Sequence, residues 1–147
     1  MKKNVTKKEF LVPSFLPEVQ KASEKVLSVL KPLGLNEALL FDVRLCLEEA
    51  LINAMKYGNK LKEGLQVRLG VECDGDEIRI TVEDQGEGFD PKNVKDCTKE
   101  DNLLRNSGRG IYLIHQLMDK VIYNEKGNRL LMVKFLKNGG THECKIL

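Results

Sequence analysis

The run from Val67 to Val82 most constrains how this 147-residue chain can fold. Val67, Leu69, Val71 and Cys73 alternate with other residues, and Ile78, Ile80 and Val82 repeat the pattern. A period of two puts each set on one face of a strand. Asp74-Gly75 between them is a turn of the hairpin type. Ahead of this hairpin the period is helical. Pro17 opens a segment whose apolar face is Val19, Ala22, Val26, Leu27, Val29 and Leu30, ended by Pro32 and Gly34. Asn36 is a suitable N-cap for a second helix through Leu40, Val43, Leu47, Ala50, Leu51 and Ala54, stopping near Gly58-Asn59. Glu9 to Val12, closed by Pro13, is a short strand candidate. After Gly108-Arg109-Gly110 a helix carries Ile111, Leu113, Ile114, Leu117 and Met118. Two strands follow, Val121 to Tyr123 and Leu130 to Leu136, joined by Lys126-Gly127-Asn128.

One domain, residues 1–136, accounts for these elements, and residues 137–147 read as a C-terminal tail. With 41% hydrophobic and 31% charged residues, the chain is expected to be globular rather than disordered. Its net charge of +2 gives no reason to expect nucleic acid or an anionic membrane as the main partner. No apolar run approaches the ~18 residues of a membrane span, and no secretory signal follows the basic Met1-Lys2-Lys3, so a cytoplasmic location is the default. Cys46, Cys73, Cys97 and Cys144 form no Cys-x-x-Cys pair. Cys46 and Cys73 fall in apolar patterns and read as core thiols. His142-Glu143-Cys144 matches no common zinc spacing.

Three polar signals interrupt these patterns, each at the edge of an element. Glu49 and Asn53 are four apart and share one helix face beside the apolar stripe. Desolvating them there is costly without partners. Asp84 falls on the core face of its strand by the period of two, and Gln85-Gly86-Glu87-Gly88 follow it. Gly108-Arg109-Gly110 precedes a helix. A buried Asp accepts a hydrogen bond from an exocyclic amine such as that of adenine. Gly86 and Gly88 let the backbone approach a flat ring closely. Gly108 and Gly110, at a helix N-terminus, offer N–H groups and partial positive charge to phosphates. Asn53 offers an oxygen to Mg²⁺, and Glu49 is placed to take a proton from a nucleophile at a terminal phosphate. Taken singly, each signal has a bland reading: a solvated helix edge or a turn. Neither glycine pair completes Gly-x-Gly-x-x-Gly, and no Gly-x-x-x-x-Gly-Lys is present. Their order, spacing and element context together carry the weight.

Together they resemble the GHKL ATPase superfamily, and more narrowly the stand-alone anti-sigma-factor serine/threonine kinases of bacteria, from about Glu9 to Leu136. Glu49-Ala-Leu-Ile-Asn53-Ala-Met-Lys-Tyr-Gly58 resembles the N box, Asp84-Gln-Gly-Glu-Gly-Phe89-Asp-Pro91 the G1 box, and Gly108-Arg-Gly-Ile-Tyr-Leu-Ile114 the G2 box. The resemblance implies an α+β, two-layer sandwich: a mixed, mostly antiparallel sheet with helices on one face. It implies ATP between the layers, under a lid formed by about Pro91 to Ser107. Asn53 would hold Mg²⁺, Asp84 would contact the adenine amine, and Glu49 would be the general base. Lys56, Arg105 and Arg109 are candidate phosphate contacts. The implied activity is phosphorylation of a serine or threonine on a small anti-sigma-factor antagonist, with sequestration of a sigma factor, usually by a homodimer, to regulate transcription. Two departures stand out. Tyr57 replaces the His often found four residues after the Asn, and Gly127-Asn128-Arg129 occupies the region of a later Gly-Thr box.

The runner-up function is an ATP-binding partner switch that transfers no phosphate. Glu49 discriminates, because nucleotide binding alone does not require it. A histidine-kinase catalytic domain is disfavoured, since no dimerisation-helix region stands ahead of the domain. His115 is expected to face solvent or fill a core edge.

Overall fold

The computed structural model describes residues 5–86 and 106–136. Strand β1 spans Thr6–Pro13 and helix α1 Glu18–Leu30. A 3₁₀ turn, Lys31–Leu33, closes α1 ahead of Gly34. Helix α2, Glu37–Asn53, begins at Asn36, whose side-chain oxygen accepts from the N–H groups of Ala38 and Leu39 at 2.7 and 3.3 Å. That is the cap expected from the sequence. Strands β2, Gln66–Cys73, and β3, Glu77–Glu83, form the hairpin. Gly75 turns it with φ 93°, a conformation that glycine adopts at no steric cost. Helix α3, Asn106–Leu117, leads into the second hairpin, β4 Lys120–Tyr123 and β5 Arg129–Phe135.

The five described strands form one sheet in the order β1-β2-β3-β5-β4, and every pairing among them is antiparallel. The mixed sheet expected above therefore has no parallel pair among the described strands. The physical reason is the second hairpin. β4 runs in the same direction as β3, but its return strand β5 takes the place beside β3. Strand β1 is longer than its apolar pattern suggests. Its register on β2, Thr6 opposite Cys73 through Pro13 opposite Gln66, sets its length. Pro13 is tolerated because β1 is an edge strand.

The alternating residues behave as their period requires. Val67, Leu69, Val71 and Cys73 of β2 and Ile78, Ile80 and Val82 of β3 are buried under the helices. Val19, Ala22, Val26 and Leu30 of α1 and Val43, Leu47, Ala50 and Leu51 of α2 meet them, with Ile114 of α3. Fully burying each Val, Leu or Ile side chain among them contributes about 1.5–3 kcal/mol. The other sheet face is polar: Arg79 there pairs with Glu77, Glu72 and Asp74 at 2.7, 3.0 and 3.2 Å. One sheet face is therefore covered and one is solvated, the two-layer arrangement of an α+β sandwich. Among the described residues no helix is long and apolar enough to cross a membrane.

Candidate functional site

The α2 ladder does not stop at Asn53. It widens into a π turn, Ala54–Gly58, closed by Asn59 N–H donating to the Ala54 carbonyl at 2.8 Å. Such turns inside or after α-helices occur often at functional sites, because the extra residue rotates the side chains that follow. Here it brings Tyr57 and Gly58 to the mouth of a cavity of about 260 Å³. The cavity lies between α2 and the end of β3, with Ala50, Ala54, Val82 and Leu130 as apolar walls and Asp84 as an acid. It is smaller than the roughly 300–1,000 Å³ of complete ligand sites. A groove of about 360 Å³, lined by Glu49, Lys56, Gly110 and Leu113, adjoins it and shares Asn53 and Tyr57 with it.

Asp84 is 9% exposed, on the helix-facing side of the sheet, as the period of two requires. Its Oδ1 accepts from the Gly86 N–H at 2.8 Å. Burial raises its pKa above the ordinary carboxylate range, and the Gly86 N–H partly offsets this. Glycines make the close packing possible. A Cβ on Gly58 would land on the Asp84 carboxylate, and one on Gly86 would land on the Gly58 carbonyl.

The peptide group after Asp84 is held from both sides. Its carbonyl accepts from Asn128 Nδ2 at 3.0 Å, and its N–H, that of Gln85, donates to Asn59 Oδ1 at 2.7 Å. Asp84 N–H also donates to the Asn128 carbonyl at 2.9 Å. Asn59 is 1% exposed, and its Nδ2 donates to the Gln66 carbonyl at 3.0 Å. Sequence reasoning missed Asn59 as a site residue and read it as the place where a helix stops. Its partners lie 7 and 26 residues away, so no local pattern marks it. A carboxamide immediately after a glycine at a helix end is a weak clue.

Glu49 and Asn53 face the groove one helical turn apart, as their spacing predicts. Burial, then the neighbouring charge of Glu48, raises the Glu49 pKa. Glu48 itself is bonded to Arg44 Nε at 3.0 Å. Lys56 lines the same groove, with its Nζ 5.5 Å from the centre of the Tyr57 ring. Gly110 differs from its expected role. Helix α3 begins at Asn106, so Gly108 lies in the first turn and Gly110 beyond it, inside the hydrogen-bond ladder. The bare Cα of Gly110 packs on α2: a Cβ would stand 2.7 Å from Glu49 Oε2 and 3.1 Å from Asn53 Nδ2. Gly88 and Arg105, and the side chain of Arg109, lie outside the described residues.

Cys46 and Cys73 are buried core thiols, and burial with the charge of Asp42 pushes the Cys46 thiol up to about 12. Among the described residues no cluster of three His, Cys, Asp or Glu side chains could hold a metal by itself. The Asn53 carboxamide in the groove suits an ion that takes one or two protein oxygens and keeps phosphates and waters as its other ligands, the habit of Mg²⁺.

Residues 12–134 match the family described as histidine kinase-like ATPase domain. The serine-protein kinases RsbW of Staphylococcus epidermidis and of Staphylococcus aureus strain bovine RF122 / ET3-1 are each 34% identical over 104 residues, covering 65% of this chain and 65% of the relative. That of Staphylococcus aureus strain JH9 is 33% identical over the same length. The matched region is thus about 65% of each relative's length.

Proposed function

Because this chain belongs to the histidine kinase-like ATPase domain family, we propose that it binds Mg-ATP and phosphorylates a serine or threonine on an anti-sigma-factor antagonist. The observation that carries this reading is the placement of Glu49. It opens onto the groove that adjoins the Asp84 cavity, one turn from Asn53. Nucleotide binding alone has no need of a half-buried, costly carboxylate there.

In this reading adenine enters the cavity and donates its exocyclic amine to Asp84. The phosphates run along the groove past Asn53 toward the first turn of α3, whose N–H groups favour anions. Lys56, with Arg105 and Arg109, adds positive charge beside them. Asn53 would hold Mg²⁺, which offsets charge on the phosphates when bound. The acceptor hydroxyl gives its proton to the Glu49 carboxylate as its oxygen bonds to the terminal phosphorus. The bond from that phosphorus to the bridging oxygen breaks, and ADP leaves. Tyr57, exposed at the mouth, closes the base end in place of an imidazole. The RsbW relatives carry the name serine-protein kinase, which supports the choice of reaction. We extend the proposal to a homodimer in the cytoplasm that also holds a sigma factor and so regulates transcription.

The test is incubation with ATP labelled at the terminal phosphate and candidate antagonist proteins from the same host. Label on a partner serine or threonine is the expected result. Tight ATP binding with no label on any partner would instead assign an ATP-dependent partner switch.

A further inference from the structure

We propose that Asn59 and Asn128 are positioning residues that aim Asp84 at the amine of the base. This rests on the ATP reading above. The two side chains come from different elements and grip the two polar groups of a single peptide unit, the one joining Asp84 to Gln85. With the Asp84 N–H bonded to the Asn128 carbonyl on the other side, the backbone about Asp84 is held and so is its Cα–Cβ direction, while the Gly86 N–H on Oδ1 sets the carboxylate. The mount continues outward. Asn59 Nδ2 is anchored on the Gln66 carbonyl, and Gln66 N–H donates to Gln85 Oε1 at 2.6 Å. Asn128 is braced by Asn124 Nδ2, which donates to Asn128 Oδ1 at 2.9 Å. Asn59 is 1% exposed and does not line the cavity, whereas Asn128 does, so Asn59 is the cleaner probe of an effect passed on through Asp84.

The geometry has a functional signature. A hydrogen bond to a charged acceptor discriminates only when the acceptor is held in line with its donor. Loosening the mount should therefore cost affinity for a base that carries the amine, and little for one that lacks it. The probe pair is ATP and purine riboside triphosphate, in which hydrogen replaces the amine.

Affinities of both nucleotides are measured by calorimetry for the full chain, with thermal melts as a check on folding. The wild-type protein should prefer ATP. Asn59→Ala should weaken ATP binding about tenfold, the scale of one charged hydrogen bond, and leave the amine-free analogue within about twofold. Asn128→Ala, at a half-buried turn position on the cavity wall, should likewise weaken ATP more than the amine-free analogue and keeps the test open where Asn59→Ala does not fold. Equal weakening of both nucleotides in a folded variant, or no weakening of either, would overturn the positioning role. A wild-type protein that binds the two nucleotides equally would remove the Asp84 reading itself, and the proposal with it.

Discussion

At Glu49 two costs coincide: the carboxyl group is half-buried, and Glu48 stands next to it. Both raise its pKa, so the deprotonated base is lost at a higher pH than for an ordinary glutamate of about 4.3. The acidic limb of the kcat/KM profile should sit above that value. Glu48→Gln removes one cause and frees the Arg44 charge, so the limb should move to lower pH while burial keeps it raised. An unmoved limb would mean that another group sets it. Glu49→Gln should leave ATP affinity nearly unchanged and lower phosphotransfer by about 10²–10⁴, the usual worth of a general base. Full transfer by that variant would remove Glu49 from the chemistry. The same shift bears on stability. Glu49 and Asp84 both have raised folded-state pKa values. The stability tied to their protonated forms is complete below the unfolded pKa and is lost as pH rises through the folded one. At neutral pH both charges therefore work against folding, and Glu49→Gln should melt no lower than the wild-type protein.

Helix α3 meets α2 through a glycine, and that choice sets the spacing of the site. The atoms nearest to a Cβ at Gly110 are the end of the Glu49 side chain and the Asn53 carboxamide. Gly110→Ala should therefore fold, with a stability change under about 1 kcal/mol in urea denaturation. The displaced Glu49 should nevertheless lose at least about tenfold in transfer, because a base must reach its proton within hydrogen-bond distance. Retained transfer in Gly110→Ala would show that Glu49 has room to spare. Gly86 is the contrasting case, since its added Cβ would meet the Gly58 carbonyl, which cannot rotate away. The π turn at Ala54–Gly58 belongs to the same scale. It ends α2 where Tyr57 and Gly58 must turn toward the cavity.

Across the whole molecule a buried lysine ties the two layers together. Lys134 of β5 is 5% exposed and faces the helices, where its Nζ donates to the Leu117 carbonyl at 2.6 Å and stands 4.0 Å from Asp42. It thus joins the sheet to the C-terminal end of α3, where a cation is favoured, and to α2. Lys134→Met keeps the apolar stem and removes the charge. It should lower stability by about 1–3 kcal/mol, the cost of leaving the half-buried Leu117 carbonyl without its charged donor. A lower urea midpoint at unchanged slope is the expected reading, and an unchanged midpoint would show that the pair contributes nothing net. Lys134 breaks the alternation that Leu130 and Met132 set, and a period of two marks that break without naming its partners. The same limit runs through the site. Local periodicity and spacing placed Glu49 beside Asn53, Asp84 on the core face and Asn36 at a helix start, because each depends on residues within a few positions. What only the tertiary structure decided is which elements meet: β5 rather than β4 beside β3, Gly110 against Glu49, and Asn59 and Asn128 on one peptide. Those contacts join residues far apart in the chain, and packing, not local period, selects them.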